Sequence, residues 1–183
     1  MKKIFEKNLE IQKKVKWEEV FDIWRKGEEN LTHWKKLLTQ FDVTWFEWRS
    51  FFVEKLHCDN KEWAIYDIQN PLEVISQFRG GPFSSWKKKF YGRKNFPSFE
   101  EIVKNRNMQN YLPVKRLAAN FPDETTLIGY IVDGEVYILE GMHRCAALAM
   151  LFTKKMMITG KVFIALAKAK KSDIKEYIRF QDK

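Results

Sequence analysis

A β-hairpin that runs directly into a helix is the feature of this sequence that most constrains its fold. Residues 127–132 and 135–139 are rich in β-branched and aromatic side chains, and only Asp133-Gly134 separates them. An Asp-Gly pair between two such runs is typical of a two-residue hairpin turn. The second run continues through Glu140-Gly141 into residues 142–151, whose alanines, leucines and methionines favour a helix. The sequence therefore predicts strand, turn, strand, glycine junction and helix in direct succession.

The first 70 residues have the pattern of a helical region rich in tryptophan. Apolar residues recur at helical spacing in residues 17–24 and 31–41. Thr44 lies three residues before Glu47, which is the capping-box pattern for a third helix. Aromatic stripes at this spacing are more often core than ligand surface, so we interpret residues 1–70 as a structural helical lobe. Six of the seven tryptophans lie in it: Trp17, Trp24, Trp34, Trp45, Trp48 and Trp63.

From about Pro71 onward, short strands and helices are expected to alternate. Residues 73–78 are predicted to form a strand that ends in a turn at Arg79, Gly80 and Gly81, where two glycines allow positive φ or the close approach of a ligand. Residues 161–167 predict another strand. The predicted fold class is α+β, with a mixed-sheet domain over residues 71–183 behind the helical lobe.

Three further helices are expected in this second region. Ser98 lies three residues before Glu101 and predicts the cap of a short helix that extends to about residue 106. Pro113 suits the first turn of a helix that ends near residue 120. A final helix, capped by Ser172, is expected to contain Ile174, Tyr177 and Ile178.

Charge and composition exclude several classes of protein. Lysines and arginines balance acidic residues at 13 each in residues 1–70, whereas residues 71–183 hold 20 against 11 and so the whole net charge of +9. No run approaches the roughly 20 apolar residues of a membrane span, and the amino terminus lacks an apolar signal core, so we expect a cytoplasmic protein without a membrane partner. Cys58 and Cys145 form no CxxC pair and are expected to be free thiols.

The junction between the second hairpin strand and its helix is a candidate anion site. The first N–H groups of a helix lack intrahelical partners and carry partial positive charge, which favours phosphate. Gly141 lets the backbone approach a ligand, and the side chains of His143 and Arg144 can donate to phosphate oxygens. Glu140 offers a carboxylate to a metal ion or a hydroxyl group. By spacing alone, an ordinary turn with solvated side chains remains an equal alternative.

The run Glu140-Gly141-Met142-His143-Arg144, followed by Cys145-Ala146-Ala147-Leu148, resembles the signature of the ParB/sulfiredoxin-like superfamily. Its members carry Gly-x-His-Arg or Gly-x-Arg-Arg between a strand and an alanine-rich helix, where they bind nucleotide phosphates. The resemblance covers about residues 71–180, its specific part is about twenty residues long, and it leaves the tryptophan-rich lobe unexplained. It implies that Gly141, Met142 through its backbone N–H, His143 and Arg144 contact the phosphates of ATP or another nucleotide.

Differences from the family pattern distinguish its branches. Sulfiredoxin needs a nucleophilic cysteine where this chain has Met142, and a thioether forms no thiolate. Partition proteins of the ParB type need a helix-turn-helix domain, for which the residues after the motif helix are too few. The free-serine kinases carry Asp-Gly-His-His-Arg, which is closest to the present motif, with Glu140 in place of Asp and Met142 in place of His.

The leading hypothesis is nucleotide-dependent phosphoryl transfer, by a kinase or NTPase, to a small hydroxyl-bearing substrate. Glu140 would bind Mg²⁺ or orient the acceptor, and Glu140 and His143 are the candidate catalytic residues. The facing wall of the cleft is assigned to Arg79, Gly80 and Gly81. Neither the base of the nucleotide nor the acceptor nor the oligomeric state follows from the sequence.

Two alternatives belong to other functional classes. The first is nucleic-acid binding or cleavage, because a basic stretch combines phosphate attraction with the stacking surfaces of Trp86, Phe90 and Tyr91. The second is a catalytically silent module whose aromatic lobe binds a partner. A solvated lysine loop would give the same basic pattern. The basic residues of the stretch are Lys87, Lys88, Lys89, Arg93 and Lys94.

Overall fold

The computed structural model describes residues 7–174, and these contain a five-stranded sheet with helices on both faces. The strand order is β1-β2-β5-β3-β4. β5 is parallel to β3, whereas the other neighbouring pairs are antiparallel. The strands are β1 Leu9–Val15, β2 Trp63–Ile68, β3 Glu124–Val132, β4 Glu135–Glu140 and β5 Lys161–Lys168.

Nine α-helical segments with both ends inside the described residues surround the sheet, the shortest of them a single turn. The first three, which lie between β1 and β2, are α1 Trp17–Glu28, α2 Thr32–Phe41 and α3 Trp45–Leu56. Five follow between β2 and β3, namely α4 Pro71–Ser76, α5 Ser84–Trp86, α6 Phe99–Val103, α7 Arg106–Gln109 and α8 Leu112–Ala119. A π-helical turn, Lys87–Tyr91, continues α5, and α9 Met142–Thr153 follows β4.

The strands divide their side chains between two cores because successive residues point to opposite faces. In β5, Ile164 and Leu166 belong to one buried cluster, and Ala165 and Ala167 to the other. Helix α9, which is buried along most of its length, packs with α4, α6 and α8 on the first face. Trp17 and Trp24 of α1 and Trp45 of α3 pack on the second face with β2 and β3.

The predicted hairpin is confirmed. β3 and β4 pair in antiparallel register on either side of Asp133 and Gly134. Both turn residues have positive φ, 52° and 79°, as a type I′ turn requires. The strand predicted over residues 161–167 is confirmed as β5.

The helices predicted at Thr44 and Ser98 begin with the expected capping boxes. The Thr44 hydroxyl accepts a hydrogen bond from the Glu47 N–H at 3.1 Å, and the Glu47 carboxylate accepts one from the Thr44 N–H at 2.7 Å. Ser98 and Glu101 make the same reciprocal pair. The Ser98 helix ends at Val103 rather than near residue 106, where a separate short helix begins.

Two expectations about local structure are wrong. Residues 73–78 are not a strand, because α4 begins at Pro71 and turns Val74 and Ile75 into the core beneath α9. Proline suits a first helical turn, and this packing outweighs the strand preference of the β-branched residues. Residues 1–70 are not wholly helical, since β1 and β2 lie within them and join the sheet of the second region.

No helix of residues 7–174 is long and apolar enough to cross a membrane.

The final predicted helix lies mostly outside the described residues. Residues 171–174 are helical, and Ile174 is buried, whereas Tyr177 and Ile178 fall beyond the described range.

Candidate functional site

The junction before α9 has the geometry of an open helix amino terminus. Gly141 has a φ of 94°, and a Cβ at this position would overlap the side chain of Leu127, so only glycine fits. The first backbone bond of the helix runs from the Cys145 N–H to the Gly141 carbonyl at 2.9 Å. The N–H groups of Met142, His143 and Arg144 therefore have no partner within the helix.

Glu140 and Arg144 form an ion pair at this junction. Their side chains are only 10% and 19% exposed. Arg144 also donates to the Thr125 hydroxyl and, at 3.1 Å, to the Thr126 carbonyl. Burial raises the pKa of Glu140, although the charge of Arg144 acts in the opposite direction. Hydrogen bonds to β3 therefore hold the Arg144 side chain in addition to its ion pair with Glu140.

A second buried ion pair reaches the same place from the helical region. Arg49 donates to both carboxylate oxygens of Glu28, at 2.8 and 2.6 Å, and Trp45 Nε1 donates to Glu28 at 3.1 Å. The Arg49 guanidinium lies 4.4 Å from the ring centroid of Trp34 and 5.0 Å from that of Phe52. This pair fixes α3 against the end of α1.

A cavity of about 600 Å³ joins these two ion pairs to the amino terminus of α9. Its walls come from both halves of the chain, so helices α1 to α3 form one side of the cleft. Ser84 and Ser85 bring hydroxyl groups to its lining. The other residues of the helical region that line it are Gly27, Glu28, Leu31, Trp34, Trp48, Arg49 and Phe52. The junction contributes Leu139, Glu140, Gly141, Met142, His143 and Arg144.

His143 lies on the lining of the cleft with its side chain exposed. Its ring stacks on Tyr111, with centroids 5.6 Å apart, and meets Trp86 edge to face at 5.2 Å. These two rings restrict the orientation of the imidazole. An oriented imidazole next to a helix amino terminus can donate to an anion or take a proton from a nearby hydroxyl.

Met142 is 6% exposed, and its sulfur accepts a hydrogen bond from the Gly81 N–H at 3.3 Å. The side chain therefore ties α9 to the turn before α5. The backbone N–H of Met142 lies at the open amino terminus of α9, as expected from the sequence.

The predicted facing wall is not formed by Arg79, Gly80 and Gly81, none of which lines the cavity. Arg79 donates to Glu135 at 2.5 and 3.0 Å, at the far end of β4. Since a strand rises about 3.3 Å per residue, this is about 16 Å from Glu140.

The two glycines serve the protein's own packing rather than a ligand. Neither has a positive φ. A Cβ on Gly80 would overlap the hydroxyl of Tyr91, and one on Gly81 would overlap the Ile138 carbonyl. Tyr91 in turn donates to the Gly81 carbonyl at 2.7 Å. The close approach anticipated for a ligand is made by Tyr91 and β4.

The basic stretch lacks the stacking surface expected of it. Trp86, Phe90 and Tyr91 are 7%, 5% and 5% exposed and belong to the core. The basic residues differ in their exposure. Lys88, Lys89 and Arg93 are exposed, Lys87 is half-buried, and Lys94 forms an ion pair with Glu101 at 2.5 Å.

Both cysteines are free and buried, as predicted. Burial raises the pKa of Cys58 to about 12, although a hydrogen bond from Tyr130 opposes the shift. Burial likewise raises the pKa of Cys145. At neutral pH both thiols stay protonated, which makes either a poor nucleophile.

The helical side of this cleft was not predicted from the sequence. The aromatic stripes were expected to be core, and most of them are, but Trp34 and Trp48 also line the cavity. The available signal was Arg49, a basic residue in a stretch rich in aromatic side chains between Trp45 and Phe52. A buried arginine needs a carboxylate partner, here Glu28.

Comparison of the chain with protein-family models, with curated proteins and with solved structures gives no match. Within residues 7–174 no group of three or more histidine, cysteine, aspartate or glutamate side chains is arranged to hold a metal ion.

Proposed function

We propose that this protein binds a nucleoside phosphate in the cleft and transfers a phosphoryl group to a small hydroxyl-bearing acceptor. The observation that carries the proposal is the 600 Å³ cavity at the amino terminus of α9, which combines an anion site with aromatic walls. A ligand that matches both parts has a phosphate group at one end and a flat ring system at the other. The resemblance of the junction to ParB/sulfiredoxin-like nucleotide sites points to the same class.

The phosphate end of the ligand would contact the α9 terminus. The N–H groups of Met142, His143 and Arg144 would donate to phosphate oxygens, together with the hydroxyls of Ser84 and Ser85 on the lining. Thr125 and Thr126 already hold the Arg144 guanidinium in place, so little side-chain entropy is lost when it meets a ligand.

The two ion pairs neutralise four charges of the cleft in the absence of a ligand, and Glu124 adds a fifth, exposed carboxylate to its lining. An incoming phosphate competes with Glu140 for Arg144, which would turn the Glu140 carboxylate toward the ligand. A carboxylate in that position suits Mg²⁺, which binds one or two carboxylates and completes its shell with phosphate oxygens and water. The absence of a three-ligand cluster among the described residues fits such a shared site better than a permanent metal centre. When bound, Mg²⁺ would supply charge neutralisation at the phosphates.

The transfer step itself needs mainly positioning. The acceptor oxygen forms a new P–O bond, the bond to the departing nucleotide breaks, and the acceptor's proton goes to a base. His143 is placed for that role because it lies at the phosphate end with its ring oriented by Tyr111 and Trp86. Glu140 is the second candidate, through its contact with the acceptor or the metal ion.

Calorimetric titration tests the proposal with ATP, ADP, GTP, CTP and pyrophosphate in the presence of Mg²⁺. A nucleoside phosphate should bind the wild-type protein. His143→Ala should weaken that binding about threefold to tenfold, the usual contribution of one hydrogen bond. Phe152→Ala is the matched control, because Phe152 is 38% exposed and lies about 15 Å along the same helix. An equal loss of nucleotide affinity in both variants would contradict the placement of His143 at the phosphate end of the ligand.

A mixed-sequence single-stranded oligonucleotide in the same titration tests the nucleic-acid alternative. That alternative now depends on exposed charges alone, chiefly Lys88, Lys89 and Arg93. Salt-sensitive binding of the oligonucleotide, without a response to any nucleotide, would favour it over the present proposal.

A further inference from the structure

Trp34 and Trp48 form an aromatic part of the cavity lining, called the aromatic wall here, which a phosphate group alone would not use. They come from α2 and α3, whereas the groups proposed to bind phosphate come from the β4–α9 junction and from Ser84 and Ser85 of α5. Both side chains are half-buried, so part of each is exposed to solvent. A large aromatic surface in a cavity of this size favours a flat apolar group.

This wall presents little net charge. Arg49 is the cation nearest to it, and both carboxylate oxygens of Glu28 already accept hydrogen bonds from that guanidinium. The guanidinium also lies 4.4 Å from the Trp34 ring centroid and 4.9 Å from that of Trp24. Arg49 therefore stiffens the Trp34 ring and is not available as a second phosphate ligand.

The Trp48 indole can contact a ligand only through its ring. Its Nε1 has no hydrogen-bond partner within residues 7–174 and is shielded from solvent, so an acceptor on a ligand in the cavity does not reach it. Trp24 Nε1 is shielded and unpaired as well, and Trp24 does not line the cavity.

We infer that Trp34 and Trp48 recognise a nucleobase, which makes the helical region the part of the chain that distinguishes a nucleoside phosphate from a sugar phosphate or a bare polyphosphate. The inference rests on the proposed function. The base stacks against the aromatic wall. Without a base, this stacking surface goes unused.

The test compares nucleoside triphosphates with inorganic tripolyphosphate by calorimetry, with Mg²⁺ present, on the full chain. Stacking of one base on an aromatic side chain contributes about fivefold to a hundredfold in affinity. The best of ATP, GTP and CTP should therefore bind at least about fivefold more tightly than tripolyphosphate. Trp34→Ala should remove most of that difference, and Trp48→Phe, which keeps an aromatic ring at that position, should remove clearly less of it. Neither variant should change the affinity for tripolyphosphate, and this unchanged affinity shows that the variants are folded.

Phe46→Ala is the matched control, since Phe46 is 61% exposed on α3 but lies outside the cavity lining. It should bind every ligand as the wild type does. Tripolyphosphate binding as tightly as all three nucleotides would overturn the inference and leave the phosphate site standing. So would an equal loss of tripolyphosphate and nucleotide affinity in the tryptophan variants. Binding of neither ligand class would overturn the proposed function itself.

Discussion

At the scale of single residues, the ion pair between Glu140 and Arg144 determines which substitutions can test ligand binding without also lowering stability. Both side chains are largely buried, and the guanidinium also serves two threonines of β3. Removing one member of such a pair leaves the other charge without compensation, which costs more than the pair itself contributes. Arg144 is thus both a candidate ligand for phosphate and part of the structure.

The first prediction is that Arg144→Ala destabilises the protein by about 3 kcal/mol, because Glu140 is left as a buried charge without its partner. Glu140→Gln should cost clearly less, since the amide oxygen can still accept from Arg144. Urea unfolding of the two variants measures the difference. Equal losses, or a larger loss for Glu140→Gln, would contradict this account of the pair.

The second prediction concerns pH. Burial raises the pKa of Glu140 above its ordinary value of 4.5, even against the charge of Arg144. The folded state then holds this proton to higher pH than the unfolded state does, so the contribution of Glu140 to stability falls as pH rises from about 4.5 through the folded-state pKa. The free energy of unfolding of the wild type, minus that of Glu140→Gln, should decline over this interval and then level off. This prediction would be refuted if the difference in unfolding free energy stayed constant or grew between about pH 4 and pH 8.

At the scale of elements, caps and glycines position the helices that line the cleft. Thr44 begins α3, which supplies Trp48 and Arg49, and the two glycines before α5 allow that segment to pack against β4. These positions do not line the cavity. Their effect on binding is expected to pass through the geometry of the helices that they start.

The third prediction is that Thr44→Ala lowers the free energy of unfolding by about 1 kcal/mol, the usual contribution of an N-cap. Thr39→Ala is the matched control, because the Thr39 hydroxyl only bonds the Lys35 carbonyl within α2 and is exposed. Alanine at that position should be neutral or slightly stabilising, since it is the better helix former. Thermal unfolding of both variants provides the comparison, and similar losses would argue against a specific cap.

The fourth prediction separates two glycines by their surroundings. Gly81→Ala should destabilise the protein strongly, by more than about 2 kcal/mol, because the new Cβ would overlap the backbone of β4 and the ring of Phe83. Gly27→Ala should stabilise it by about 0.5–1 kcal/mol, as its Cβ meets only Glu140 at 4.0 Å and alanine favours a helix interior. Chemical unfolding checks both signs. A tolerated Gly81→Ala would restore the view that this glycine leaves room for a ligand.

At the scale of the whole molecule, the parts of the fold with local signals could be predicted. The Asp133-Gly134 turn, the Thr44 and Ser98 caps and the β5 strand each depend on a few neighbouring residues. Strand β1 was missed because it is polar and largely exposed at the edge of the sheet. Strand β2 was missed although its residues favour a strand as those of β5 do, because it follows the tryptophan-rich helical pattern directly.

The candidate site likewise has one part that could be predicted from the sequence and one part that could not. The β4–α9 junction is continuous in sequence and could be proposed from its glycine and the residues that follow it. The opposite wall depends on how α1 to α3 pack over the sheet, which brings Glu28 and Arg49 to the cleft from more than 20 residues apart. The assignment of Gly80 and Gly81 to the site failed for a related reason, since the sequence did not reveal that Tyr91 would fill the space beside them.

The most direct test of the central claim is a crystal structure of the full chain grown with a nucleoside triphosphate and Mg²⁺. The account predicts phosphates at the N–H groups of Met142, His143 and Arg144, with the base against Trp34 and Trp48. A nucleotide bound elsewhere, for example along the exposed lysines after Trp86, would contradict it. So would a cleft that stays empty at ligand concentrations that saturate binding in solution.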